Sequence, residues 1–266
     1  MDGPGAVAVG AEGLGLKGPR GWAFRGVDVK AEPGALVAIE GPSGSGRTCL
    51  LLALTGRMKP TEGTASVGRL RLPKQLSAVR RISALAHVPG VTDLDPALTV
   101  GEHLRERALL EQRFGSSLRA LLRPRAERRA ASRLRIDTAL AAAGLDLDAL
   151  PKGPRTAVRD LERTEALRLS VALAMIGKPR LLGVDDTDLK LSDAERAEVW
   201  DLLRSVAESG TTVLAVCSEA PEGAVVVSTA PKKAAAEAAA HDAADDAADG
   251  TENGNDDDKE TANALA

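Results

Sequence analysis

Eight consecutive residues, Gly41-Pro42-Ser43-Gly44-Ser45-Gly46-Arg47-Thr48, follow a short apolar run and open a helical pattern. Glycines at this spacing let backbone N–H groups turn inward on phosphate oxygens, and the N-terminus of the helix behind them adds its dipole. The pattern is that of the phosphate-binding loop G-x-x-x-x-G-K-[ST], with arginine in the lysine position. Thr48 would supply a hydroxyl to Mg2+. A glycine-rich turn also occurs as a plain strand-to-helix connection; the preceding strand, the spacing, the threonine and the retained positive charge together favour nucleotide. The second chemical candidate is Asp185-Asp186, which ends the apolar run Leu181-Leu182-Gly183-Val184. A carboxylate at the end of such a strand lies at the ligand edge of an α/β sheet, where it holds Mg2+ through water beside the loop threonine. Asp185 is the expected metal ligand. Asp186 is the expected water-orienting group, one methylene shorter than glutamate. The alternative for the pair is a solvated acidic turn leading into the next helix.

These residues need a sheet to hold them. Ala35 to Glu40 is an apolar run with β-branched residues, bounded by Pro33-Gly34 and Gly41-Pro42, and reads as a buried strand. A helix is expected from Arg47 to about Arg57. Arg80 to Val88, Leu181 to Asp185 and Thr211 to Cys217 are further strand candidates. Ser192 to Glu208 is amphipathic at helical spacing, with Val199, Leu202, Leu203 and Val206 inward. Residues 99 to 177 carry consecutive helical patterns instead. The fold class expected is therefore α/β, a mainly parallel sheet with a helical insertion.

Composition narrows the function classes. A chain of 266 residues, 44% hydrophobic, builds a large core without staples, and Cys49 and Cys217 cannot form a disulfide framework. Both cysteines read as small buried hydrophobes. The N-terminus lacks the pattern of a secretory signal, so a cytoplasmic setting is expected, and no apolar run approaches the ~20 residues that span a bilayer. Residues 231 to 266 hold ten acidic and three basic residues, which leaves 32 of the 35 basic and 28 of the 38 acidic residues in the remainder. That last segment, rich in Ala and Asp, has almost no large apolar residue and is expected to be disordered. The division expected is thus 1–230, with a helical subdomain at about 99–177, and a tail at 231–266. Residues 101 to 136 contain ten Arg and four Glu. This run fits a membrane protein, anionic lipid or nucleic-acid phosphate, or a solvated helical face. Aromatic residues for base stacking are missing beside it except Phe114, which argues against nucleic acid. No His/Cys cluster has zinc spacing and no Ser-His-Asp arrangement is suggested.

Taken together, the motifs resemble the ATP-binding cassette family, the nucleotide-binding subunits of ABC transporters, over roughly residues 6 to 230. Gly41 to Thr48 matches its Walker A motif and Arg180-Leu181-Leu182-Gly183-Val184-Asp185-Asp186 its Walker B motif. Leu98 to Leu104 resembles the opening of its helical subdomain, and Gly177 to Arg180 its lead into Walker B. The resemblance implies the P-loop NTPase fold, ATP and Mg2+ as cofactors, and a separately encoded membrane permease-like partner. It further implies a place at the inner face of the plasma membrane and a homodimer closing on ATP. Several positions depart from the family. Its signature segment falls on Leu161-Glu162-Arg163-Thr164-Glu165, which keeps only the leucine and sets two carboxylates where the partner subunit's γ-phosphate would lie. His87 stands at the glutamine that senses Mg2+ and water, Ser218 at the switch histidine and Ser192 at the D-loop aspartate. His87 reads equally as a ligating group or as a solvent-facing loop residue. Trp22 reads as packing, with adenine stacking as the alternative for it or Phe24, and His103 as lying on an exposed helical face. Weak hydrolysis is expected. The other reading is a non-catalytic nucleotide-binding regulator or adaptor.

Overall fold

A computed structural model describes residues 5–114, 124–188 and 191–230. Four strands, β1 (Val9–Gly18), β2 (Gly21–Ala31), β4 (Glu62–Val67) and β5 (Leu70–Leu72), form an antiparallel sheet in the order β2-β1-β4-β5. Five others, β3 (Leu36–Glu40), β6 (Ser83–Ala86), β7 (Leu181–Val184), β8 (Thr212–Val216) and β9 (Val225–Ser228), form a sheet in the order β6-β7-β8-β3-β9. All four of its strand pairs are parallel.

Helix α1 (Arg47–Leu54) lies between the sheets, and α2 (Leu76–Ile82) leads into β6. On α1, Leu50, Leu51 and Leu54 are wholly buried, packed with Val9, Leu14 and Phe24 of one sheet and Ile39, Leu181 and Leu214 of the other. Each such leucine contributes about 1.5–3 kcal/mol on burial. The opposite face of the parallel sheet is covered by α5 (Arg163–Met175) and α6 (Asp193–Glu208), after α3 (Val100–Phe114) and α4 (Arg125–Ala142). Along β8, Val213 and Ala215 face that second core while Leu214 and Val216 face α1. Burial on both faces is what made these strands read as unbroken apolar runs. Gly183 lets α1 pack closely on β7: a Cβ there would lie 2.8 Å from a Leu85 methyl and 3.0 Å from a Leu51 methyl of α1, and those side chains would have to shift.

Several expectations need correction. The candidate strand Arg80 to Val88 is strand only at Ser83–Ala86; Arg80 to Ile82 finish α2, which turns Val79 inward and places Arg80 and Arg81 in its last turn. Cations are favoured there by the helix dipole. Helix α1 stops at Leu54 rather than near Arg57. The antiparallel sheet was not foreseen at all. Register shifts in the β1–β2 pairing, one of them spanning the positive-φ Gly13, break the period-two alternation that would have announced it. Trp22 is 41% exposed rather than packed, with the Arg25 guanidinium 4.5 Å and the Lys17 ammonium 5.7 Å from its ring centroid. Phe24 is buried and cannot stack on a ligand base. Cys217 is buried but Cys49 only half-buried. His103 is half-buried, its Nε2 3.2 Å from the Asp95 carbonyl oxygen.

The chain divides into Met1–Thr229 and Ala230–Ala266. The expected disordered tail, 231–266, and Arg119 and Arg123 of the arginine-rich run lie outside the described residues. Among the described residues, no helix is long and apolar enough to cross a membrane.

Candidate functional site

The chain leaves β3 at Glu40, turns through residues 41 to 46 and enters α1 at Arg47. Gly46 is the N-cap, at φ 85°, and offers no side chain of its own to cap this end. A Cβ at Gly46 would sit 2.2 Å from the Ala23 carbonyl oxygen, so glycine is needed both for the backbone angle and for the approach of β2. At Gly44, also at positive φ, an added Cβ would meet nothing within 4 Å. The loop is therefore tight on its protein side and open on the other. Its base is fixed by Ser45 N donating to Pro42 O at 3.1 Å, and by the Ser45 and Thr229 hydroxyls 2.5 Å apart. Helix α1 carries no acidic residue in its first turn, so its N–H groups face no competing carboxylate from their own helix.

Asp185 sits just past β7 and is 2% exposed. Thr48 Oγ1 donates to Asp185 Oδ2 at 2.7 Å, and the Asp186 N–H donates to Asp185 Oδ1 at 3.0 Å. Burial pushes the Asp185 carboxyl above its usual range, with the Thr48 hydrogen bond pulling the other way and the Asp186 charge adding to the rise. A buried carboxylate held by a threonine hydroxyl at the mouth of an open helix end fits a divalent cation. Mg2+ takes one or two carboxylates and completes its shell with water and phosphate oxygens. The sequence paired these two residues only through their motifs; the geometry places them in direct contact.

Asp186 and His87 also come together. They follow the adjacent parallel strands β7 and β6, and both hold left-handed backbone angles, φ 48° and 47°. Each is costly for a residue with a Cβ and is sustained only by its surroundings. Both line a cavity of about 260 Å³ shared with Arg163 and Leu167 of α5 and with Leu191.

Other groups depart from what the sequence suggested. The Arg47 guanidinium donates to the Cys217 carbonyl oxygen at the end of β8. The Cys217 thiol, pushed up to about 12 by burial, stays neutral there. Asp188, a residue the motif reading passed over, accepts from the Ser218 N–H at 2.6 Å and the Glu219 N–H at 3.3 Å. It ties the loop after β8 to the loop after β7. The signal was present, since Val184-Asp185-Asp186-Thr187-Asp188 carries one acid more than the motif needs. Ser192 caps α6 through a reciprocal pair with Glu195. Glu162 and Glu165 do the same for α5, with Glu162 N donating to Glu165 Oε2 at 2.8 Å. Leu161 packs against the second core. The signature-like segment is thus a helix cap built from two carboxylates.

The family model for ABC transporters matches residues 24–188, a span running from β2 to Asp188. The chain belongs to the ABC transporter family. Its fold is that of the ABC ATPase cassette. Among relatives of this ABC protein, the Nod factor export ATP-binding protein I of Cupriavidus metallidurans is 29% identical over 71% of this chain and 55% of its own length. The daunorubicin resistance ATP-binding protein DrrA3 of Streptomyces coeruleorubidus is 30% identical over 72% of this chain and 54% of its own. The chain spans about half the length of these relatives. Two solved structures share the fold. Dimeric MJ0796 bound to ADP and Pi has TM-score 0.59 and 22% identity, covering 79% of this chain and 88% of that one. The cbiO1 protein of Clostridium perfringens, part of the cbiONQ transporter complex, has TM-score 0.63 and 19% identity, covering 79% of this chain and 78% of that one.

Proposed function

We propose that this ABC-family chain is an ATP-binding subunit that takes up Mg-ATP at Gly41 to Thr48 and Asp185, couples to a separately encoded membrane protein, and hydrolyses ATP slowly. The observation that carries the reading is the 2.7 Å contact of Thr48 with buried Asp185 at the open N-terminus of α1. The backbone of residues 41 to 46 would cradle the phosphates, and Thr48 and Asp185 would hold Mg2+ beside them. Bound Mg2+ would neutralise developing charge on the phosphoryl oxygens. Arg47 brings a planar fork where the family has a compact ammonium, and that fork is turned to the Cys217 carbonyl. Asp186 stands where water would be oriented, one methylene short of glutamate. Ser218 supplies no imidazole, and its backbone is held by Asp188. These features support binding more strongly than turnover.

Relatives named as export and resistance ATP-binding proteins support a transport role, with a membrane partner at the inner face of the plasma membrane. The dimeric state of MJ0796 supports a homodimer. The carboxylate cap on α5 favours a second reading, a nucleotide-binding regulator or adaptor without turnover. Thermal unfolding tests the binding: at 100 times Kd, Mg-ATP adds about 2.7 kcal/mol, or roughly 5–10 °C in Tm. No shift at millimolar Mg-ATP would sink both readings. An ATPase assay with and without the membrane protein separates them.

A further inference from the structure

A second cavity, of about 420 Å³, lies among α2, α3, α5 and the loop after β6. Its lining includes three arginines, Arg57, Arg80 and Arg107, and no aspartate or glutamate among the described residues. Arg57 is half-buried and, among the described residues, donates to neutral oxygens: Thr55 O at 2.6 Å, Ser83 Oγ at 2.6 Å and Ser83 O at 3.2 Å. Burial, with the positive charges of Arg80 and Arg107 behind it, pulls the Arg57 guanidinium down to about 10. Exposed Arg80 donates to Gly56 O at 2.9 Å and Ser77 Oγ at 3.1 Å. Among the described residues, Arg107 alone of the three has a carboxylate partner, Glu111 at 2.8 Å, which is outside the lining. A half-buried cation facing two more is costly unless an anion joins it.

We propose that this cavity binds a small organic anion, a phosphate or carboxylate group carried on an apolar body, at a site separate from the phosphate cradle. Guanidinium forks match both oxyanions bidentately, and Arg80 and Arg107 each keep N–H groups beyond those used above. Leu85, Val91, Leu94 and Leu173 supply apolar walls for the body. The volume is that of an ordinary small-molecule pocket, about 300–1,000 Å³. Bare phosphate would leave those walls uncovered. His87 lines this cavity and the smaller one beside Asp186, so a ligand here sits one loop away from the candidate nucleotide site.

Titration calorimetry of the full chain with phenyl phosphate at fixed ionic strength, in the absence of nucleotide, tests the site. Saturable binding is expected, weakened about tenfold or more in Arg80→Gln, equivalent to about 1.4 kcal/mol. Val91 is 53% exposed, so Val91→Glu leaves the fold intact while placing a carboxylate within reach of the arginines. That variant is expected to lose binding while keeping or raising Tm. Benzoate, run in parallel, separates carboxylate from phosphate preference, and binding by either supports the site. Absence of saturable binding by both anions would overturn the proposal. So would equal affinity in wild type, Arg80→Gln and Val91→Glu, since the anion would then be seated elsewhere, including on the phosphate cradle.

Discussion

Two helix ends in this molecule have opposite chemistry. Helix α1 begins after a glycine in the left-handed region, with no side-chain cap and no acidic residue in its first turn. Helix α5 begins under a reciprocal pair of glutamates, one on the N-cap and one three residues in. A helix N-terminus carries about half a positive charge and several N–H groups without partners. At α1 no carboxylate of the first turn competes for these groups; at α5 the Glu162 and Glu165 N–H groups are taken by the two glutamate side chains. In the arrangement that the family resemblance implies, α1 holds the nucleotide of its own subunit and the α5 end closes on the nucleotide of the partner. The contrast teaches that two helix ends of one fold can differ in what they offer an anion: one leaves its first turn without a carboxylate and the other places two there.

The largest effect expected concerns turnover. Purified protein, alone or with its membrane partner, is expected to hydrolyse Mg-ATP below the ordinary range of about 1–10³ s⁻¹. Groups acting as one constellation are non-additive, so Asp186→Glu or Ser218→His alone is expected to raise the rate by no more than about tenfold. A wild-type kcat inside that range, abolished by Asp185→Asn, would show that the α5 cap is no obstacle.

Next comes the open end itself. Gly46→Ala places a methyl group against the Ala23 carbonyl and forces alanine to a positive φ. The backbone angle alone costs about 1–3 kcal/mol, before the overlap. A lower Tm is expected, together with loss of the Mg-ATP shift in the fraction that still folds. An unchanged nucleotide shift would mean that phosphate is not read by this turn.

Asp185→Asn should separate stability from binding. Burial raises the carboxyl's pKa, so holding it ionised opposes folding. The amide removes the charge and keeps both contacts if its oxygen accepts from the Asp186 N–H and its NH2 donates to Thr48 Oγ1. Without ligand, a gain of about 0.5–2 kcal/mol is expected, typical of relieving a strained functional position. Melting curves should then show a raised apo Tm and a lost Mg2+-dependent nucleotide shift. A lowered apo Tm would mean that the charged pair stabilises the fold.

What the sequence disclosed follows the same physical lines. The parallel strands and α1 were legible because burial on both faces writes an unbroken apolar run between glycine and proline stops. Gly41 to Thr48 and Asp185 could be singled out as candidates because phosphate and cation chemistry calls for fixed residue types at fixed spacing. The β1–β2 pairing was hidden by shifts in register at Gly13 and beyond, which carry no periodic signal. Arg47 to Cys217 and Asp188 to Ser218 were hidden for a different reason. Each joins positions far apart in the chain, and only the fold brings them within bonding distance. The glutamates at 162 and 165 were visible as charges opposed to phosphate, yet their present partner is the backbone of their own helix.

The smallest effect expected is the one that sharpens the contrast most. Glutamine serves at the third position of a capping box as glutamate does, so Glu165→Gln keeps the hydrogen bond to the Glu162 N–H and removes one charge. Unfolding free energy should change by less than about 0.5 kcal/mol, as for an ordinary surface substitution. If the α5 end faces a partner's phosphates, the removed repulsion is that of a partly exposed charge pair, about 1 kcal/mol or less after solvent screening. That corresponds to a tightening of up to about fivefold in a Mg-ATP-dependent dimer constant, read by sedimentation equilibrium at low salt. The gain should shrink as salt is raised, because the charges are screened over about 10 Å at 0.1 M. Glu162→Ala provides the contrast, since it removes a charge and one half of the capping box together and should lower Tm measurably more than Glu165→Gln does. A dimer constant unmoved by Glu165→Gln at low salt would place the α5 cap away from the nucleotide and leave α1 as the sole helix end that reads phosphate.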